Sequence, residues 1–325
     1  MFQSITVALA VFDGERYIAE QLGSILGQTR APDEIIVADD GSTDRTLDIV
    51  REVFESRTFG SPVLRILTAD GARGVTRNFE RAVRAATGDL IVLSDQDDVW
   101  HPDRLARAVE SFERDPSLLL QHADARLVDA QGTSLGASLF EALYVSSDDK
   151  VAIANGRAFD TYMRRNLVTG ATVVLRRELL EWALPFPDEW VHDEWLAIIA
   201  AAMGRVELFD EPLIDYRQHG ANAIGVTVPT LRSRIGRMLQ PRGDRYRELS
   251  ARSARLVERL EAVGAPREAL VRAREKARFE GIRAGLSNWR LARIRTVLGE
   301  RRRGSYRLLS SQGNLDVLRD ILQPR

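Results

Sequence analysis

Cysteine is absent from the 325 residues. That excludes disulfides and thiolate metal sites, and it fits a reducing compartment. Lysine is nearly absent too, Lys150 and Lys276 being the only two. The longest apolar run, Trp195 to Met203, falls far short of the roughly 20 residues that span a bilayer. The N-terminus, MFQSITVALAVFDGE, lacks the basic region and cleavage pattern of a secretory signal. These absences predict a soluble, cytoplasmic chain, at most peripheral at the inner face of a membrane. Two nucleotide-binding loops are also missing. The first apolar run is followed by FDGERY rather than Gly-x-Gly-x-x-Gly, and there is no Walker loop.

Apolar residues make up 44% of the chain, enough for a substantial core plus an extension. The net charge of −1 hides a split. From Thr230 onward there are 24 basic and 10 acidic residues, whereas the rest holds 22 basic and 37 acidic. This asymmetry predicts a boundary, with a linker near 225–229, and a tail suited to an anionic partner.

Strand and helix patterns alternate in the first half. ITVALAV (Ile5 to Val11) is a continuous β-branched run, the mark of a strand covered on both faces. EIIVA (Glu34 to Ala38), VLRIL (Val63 to Leu67) and LIVLS (Leu90 to Ser94) repeat that pattern. Between them lie helical spacings, such as Tyr17, Ile18, Leu22, Ile25 and Leu26, or Val75, Phe79, Ala82, Val83 and Ala86. Such alternation predicts an α/β fold with a doubly wound, mostly parallel sheet. LLLQHADARLV, ATVVL, VELF and LIDYRQ are further strand candidates, and Glu194 to Met203 reads as a helix. Past 229 the chain is helical and arginine-rich.

Ligands of open parallel sheets bind beyond the carboxyl ends of the strands. Asp39 and Asp40 follow the second strand, and Asp95, Asp97 and Asp98 follow the fourth. Aspartates this crowded repel one another, and a hard divalent cation, which takes oxygen ligands, would relieve the repulsion. A solvated turn that caps the next helix is the plainer alternative. DQDDV also fits the nucleophile pattern of haloacid-dehalogenase-like phosphohydrolases, but that chemistry needs a lysine, and neither lysine precedes an acidic motif of the right kind.

VALAVFDGERYIAEQLGSILGQT, EIIVADDGSTDRT, ARGVTRNFERAVRAATGDLIVLSDQDDVWHPDRL, VHDEWL and YRQHGAN, in that order, resemble the family 2 glycosyltransferases of GT-A fold, most of all the rhamnosyltransferase-like members. The resemblance runs from about Ile5 to Gly225. It implies a GT-A-like catalytic domain over 1–228 and a basic helical extension over 229–325. It further implies transfer of a sugar, with inversion, from a dTDP- or UDP-linked donor to a hydroxyl of a glycan or lipid-linked oligosaccharide, dTDP-rhamnose being favoured. A non-catalytic sugar-nucleotide-binding protein is the competing class.

The resemblance also assigns roles. Ala10, Phe12, Asp39, Arg73 and Asp95 would hold the nucleotide, with Arg77 a further candidate for base or phosphate. Asp97, Asp95 and His219 would hold Mn²⁺ or Mg²⁺. Asp193 would be the base, with Glu194 and Trp195 facing the acceptor. For the tail, packing on the catalytic part or on a second copy is the first expectation and an anionic membrane surface the second. No nucleic-acid-binding module is visible.

Overall fold

A computed structural model describes residues 3–56, 62–69, 73–219 and 243–324. The first four strands are β1 (Ile5–Val11), β2 (Glu34–Asp39), β3 (Val63–Leu67) and β4 (Leu90–Ser94). They pair in parallel in the order β3-β2-β1-β4. Helices α1 (Ile18–Leu26), α2 (Thr46–Glu55) and α3 (Val75–Ala85) connect them. Every residue of β1, β2 and β4 is buried, as the unbroken apolar runs require of strands covered on both faces. One layer of the core packs Ile18, Leu22 and Ile25 under the sheet, and the other packs Phe79, Ala82 and Val83 on its opposite side. Burying a side chain such as Phe79 contributes about 1.5–3 kcal/mol.

Beyond β4 the sheet is mixed. Strand β5 (Val99–Trp100) and helix α4 (Arg104–Arg114) precede the long strand β6 (Leu118–Val128) and its partner β7 (Ser134–Ser138). Helices α5 (Leu139–Ala142), α6 (Ser147–Ala154) and α7 (Ala158–Arg164) follow, then β8 (Val173–Arg176), α8 (Leu179–Ala183), α9 (His192–Met203) and β9 (Arg205–Arg217). Strand β8 pairs antiparallel with both β4 and β6, β9 runs parallel to β6, and β5 closes the edge antiparallel to β9. The two short candidates VELF and LIDYRQ are one strand. Its register against β6 shifts between Ala123 and Asp124, and there Pro212, which has no N–H to give the ladder, is accommodated.

The tail forms helices α10 (Arg245–Ala262), α11 (Arg267–Ala284), α12 (Arg290–Arg302), α13 (Ser305–Leu309) and α14 (Asn314–Leu322). Leu256 and Leu260 of α10 and Ala269 and Ala273 of α11 join the core that contains Phe79 and Trp195. The described part of the tail is therefore packed onto the α/β part. A smaller core of Phe279, Leu286, Val297, Tyr306, Leu309 and Val317 holds the last helices together. The expected linker at 225–229 lies outside the described residues.

Candidate active site

The carboxyl edge of the parallel strands collects most of the expected residues. After β4, Asp95, Asp97 and Asp98 form a turn that leads into β5. The antiparallel register pairs Val99 with Asp215, so stepping back two residues on one strand and forward two on the other sets Asp97 opposite Arg217. Two bonds confirm the match, and a third ties Arg217 to α1. The Arg217 backbone N–H donates to Asp98 Oδ1 at 3.1 Å, its Nε donates to the Asp97 carbonyl at 2.7 Å, and its Nη2 donates to Glu20 at 2.8 Å. Buried Arg217 thus fastens the acidic turn to the end of β9 and to α1.

Two residues on, His219 Nε2 lies 2.7 Å from Asp97 Oδ2. The Tyr17 ring stacks on the His219 ring with centroids 5.0 Å apart, and the Arg217 guanidinium sits 4.8 Å from the Tyr17 centroid. Ring and guanidinium together fix where the imidazole points.

The acidic turn is electrostatically tense. Burial, then Asp97 and Asp193, push the Asp95 carboxyl up to about 7. Burial, then Asp97 and Asp95, hold Asp98 well above the usual carboxylate range. Asp98 Oδ2 and Arg104 Nη1 are buried without a hydrogen-bond partner among the described residues. Arg104 enters from α4, stacks 3.9 Å from the Trp100 ring and donates to the Ala171 carbonyl at 2.7 Å. Burial depresses its guanidinium to about 9, and it supplies the one positive charge that acts on both Asp95 and Asp98.

Asp193 stands in the first turn of α9, where the helix dipole favours an anion. Its Oδ2 accepts from Gly170 N–H at 2.9 Å and its Oδ1 from Glu194 N–H at 2.7 Å. Gly170 has to lack a side chain, because a Cβ there would come within 2.8 Å of His192 Nε2. Burial raises Asp193 to about 6 against these two bonds. A carboxyl held there can accept a proton near neutrality.

The nucleotide candidates are distributed as follows. Asp39, at the end of β2, accepts from the Gly41 and Ser42 N–H groups and so builds an Asx-type turn. Asp40 instead reaches across to the Arg73 and Gly74 N–H groups at 2.8 and 2.9 Å, fixing the start of α3. Ala10 is buried beside Ala38, Phe12 is 49% exposed, and the Arg73 side chain is exposed. Gln96, unmarked in the sequence, holds Phe12 by a reciprocal pair of bonds, N–H to Oε1 at 2.8 Å and Nε2 to carbonyl at 2.9 Å. Only a glycine at 14 leaves room for that amide.

Two expectations need correction. Trp195 cannot face an acceptor: it is fully buried, and its Nε1 donates to the Ala183 carbonyl at 2.7 Å. Arg77 does not reach toward a nucleotide. It is tied to Glu80, to the Phe186 carbonyl and to Asp188. Glu194, expected toward the acceptor, is ion-paired with Arg252 of α10. The Arg252 guanidinium also stacks 4.2 Å from the Trp190 ring, and its carbonyl accepts from Trp190 Nε1 at 3.1 Å. No signal in the sequence links positions 194 and 252. Arg217, Gln96 and Tyr17 were likewise missed, since each acts through a partner distant in the chain.

No group of three metal-ligating side chains is assembled among the described residues. A hard cation at a nucleotide site needs only one or two carboxylates beside the phosphates, and Asp97, Asp95 and His219 fit that pattern. Adjacent ligands of an octahedral ion lie about 3 Å apart, as bonds of about 2.1 Å at right angles require. The 2.7 Å Asp97–His219 pair is close to that spacing, and the buried, unpartnered Asp98 oxygen fits a cation beside the turn.

Residues 6–139 match the family model for glycosyl transferase family 2. The chain is 29% identical over 223 residues to an uncharacterized glycosyltransferase of a Nostoc species, covering 67% of this chain and 66% of that one. It is 27% identical over 233 residues to the dTDP-rhamnosyl transferase RfbG of Shigella flexneri, covering 68% and 74%. The matches span 57–66% of the length of the first curated relatives. In structure it resembles the mannosyltransferase PcManGT from Pyrobaculum calidifontis, solved in complex with GDP-Man and Mn²⁺. There the TM-score is 0.51 and the identity 22%, over 98% of this chain and 86% of that one. The fold is thus a GT-A-like one, and residues 6–139 match the glycosyl transferase family 2 model.

Proposed function

We propose that the protein is a metal-dependent, inverting glycosyltransferase that moves a sugar from a nucleoside diphosphate to an acceptor hydroxyl. The single observation that carries this reading is the gathering of Asp95, Asp97, His219 and Asp193 at one edge of the sheet, brought there by three separate segments of the chain. Asp39, Ala10 and Phe12 line the strand ends where the base would lie, with Gln96 fixing the Phe12 backbone and Arg73 at the rim. Asp95 would reach the ribose. Asp97, with Asp95 and His219, would hold Mn²⁺ or Mg²⁺. When bound, such an ion neutralises the charge that develops on the leaving diphosphate.

Asp193 takes the proton of the attacking hydroxyl at its carboxylate. The bonds from Gly170 and Glu194 hold that group in one orientation. Like charge couples it to Asp95, which supports a base beside the donor end of the site. The likeness to a dTDP-rhamnosyl transferase favours dTDP-rhamnose as donor, with a UDP-sugar the alternative. A cell-surface glycan or lipid-linked oligosaccharide is the acceptor class.

The test is a thermal-shift panel of UDP, dTDP, GDP and CMP, each with and without Mn²⁺. A ligand present at 100 times its Kd stabilises by about 2.7 kcal/mol. The expected result is a metal-dependent rise with dTDP or UDP. No rise with any nucleotide would overturn the reading.

A further inference from the structure

The last three helices present a surface unlike the rest of the molecule. Between residues 285 and 324 there are three acidic side chains, Glu300, Asp316 and Asp320, and all three are buried at 4%, 1% and 0% exposure. Each is consumed internally. Arg278 and Ser305 bind Glu300, Gln312 N–H binds Asp316, and Arg283, Tyr246 and Tyr306 bind Asp320. Six arginines of the same stretch face outward instead: Arg290, Arg295, Arg301, Arg302, Arg303 and Arg307 are exposed, while Arg293 and Arg319 are buried. Within this stretch the exposed charge is thus positive, with no exposed side-chain carboxylate of its own and, among the described residues, only Arg303 paired, to Glu300.

Large apolar side chains stand among these arginines. Trp289 is 80% and Leu291 81% exposed, higher than any other large apolar residue described. Leu315, Leu318 and Leu322 are also exposed, at i, i+3 and i+7 on α14, so they form one stripe on that helix. The two features adjoin. Arg293 of α12 donates to the Gln323 carbonyl at 2.8 Å, which sets the start of α12, with Trp289 and Leu291, against the end of α14, where Leu322 lies.

We propose that this face of α12–α14 docks on an anionic lipid surface, its arginines at the headgroups and Trp289, Leu291 and the α14 leucines at the acyl boundary. Helices with exposed Trp and Leu beside arginines bind such interfaces by apolar burial plus attraction to anionic lipid. A second copy is the poorer occupant, because a like face would set arginines against arginines with no exposed carboxylate to pair them. The inference rests on this surface and not on the reaction proposed above.

The test is co-sedimentation of the full chain with vesicles of phosphatidylcholine alone or mixed with phosphatidylglycerol. Binding to the mixed vesicles alone, and its loss at high salt, is the expected result. Each of Arg301→Gln, Arg302→Gln and Arg307→Gln should weaken binding by about fivefold, as the attraction of one basic residue to an anionic surface implies. The pair Trp289→Ser and Leu291→Ser should remove more, while the melting temperature and the nucleotide-induced shift stay unchanged. Should the serine pair misfold, the arginine variants still decide the matter. Absent or equal binding to both vesicles would overturn the proposal. So would concentration-dependent self-association abolished by the Trp289 and Leu291 changes.

Discussion

His219 Nε2 meets Asp97 Oδ2 at 2.7 Å across 122 positions of sequence. The β5–β9 register makes the meeting possible, Arg217 locks it, and Tyr17 stacks the ring in place. A cation would take over the shared proton between two groups already near ligand spacing. The site is therefore largely preorganised, and its function should respond separately to loss of the metal pair and loss of the base.

Asp193→Asn removes the proton acceptor but retains the side-chain size and the helix. The turnover number should fall about 10²–10⁴-fold, the usual worth of a positioned general base. The nucleotide- and Mn²⁺-dependent thermal shift should persist. Steady-state kinetics beside the melting assay separates the two. Normal turnover would remove Asp193 from the mechanism.

Burial places the Asp193 carboxyl at about 6, above the unfolded value of about 3.9. As the base must be ionised, kcat should rise with pH through about 6. Stability has the opposite sign. The native state holds this proton more tightly than the unfolded chain does, so the stabilisation is full below about 4 and is lost as pH rises through about 6. Melting curves taken over that window should decline with pH, and the decline should be smaller in Asp193→Asn.

Arg252 of α10 pairs with Glu194, the neighbour of the candidate base. Burial already raises the Glu194 carboxyl, and Arg252 opposes the rise. Arg252→Ala leaves that carboxylate unpaired and removes the cap on Trp190. Because both groups keep some solvent contact, the cost should be about 1–3 kcal/mol rather than the full 3–5 kcal/mol of a wholly buried pair. Arg252→Lys should recover part of it. Urea titration of the three proteins measures the difference.

Arg283 is the hub of the tail. It forks onto Asp320 at 2.8 and 3.2 Å and reaches Glu280 at 3.2 Å, with all three residues buried. Arg283→Met takes the cation from buried Asp320, while Lys276 still pairs with Glu280, and should cost about 3–5 kcal/mol. Loss of helical circular dichroism at a lower denaturant concentration is the expected signature. An unchanged midpoint would mean that the network does not hold the helices.

The sheet was legible where burial dictated the residue pattern. ITVALAV and LIVLS became strands over their whole predicted lengths because a two-faced strand has to be continuously apolar, whereas VLRIL, read the same way, is an edge strand that is only half-buried. Strand β9 read as two pieces because Asp210, Glu211 and Pro212 interrupt its pattern at the register shift, an arrangement visible only with β6 alongside. Helices α5 to α7 were not anticipated, and α6 shows why: its capping box marks the start, but its apolar residues follow no period.

At the site, the carboxylates were readable because their motifs are local. Their supports were not. Arg217, Gln96 and Arg252 act on residues 120, 84 and 58 positions away. Trp195 misled because the motif outweighed its setting. The sequence WLAIIAAAM is apolar all round, and a helix of that kind is buried.

Anomalous diffraction from a crystal soaked with a nucleoside diphosphate and Mn²⁺ tests the central claim most directly. The expected result is a manganese peak bound by Asp97, with His219 or Asp95 beside it and the diphosphate completing the shell. Asp95 and Asp97 turned to bulk water, with the nucleotide bound and no metal between them, would contradict it.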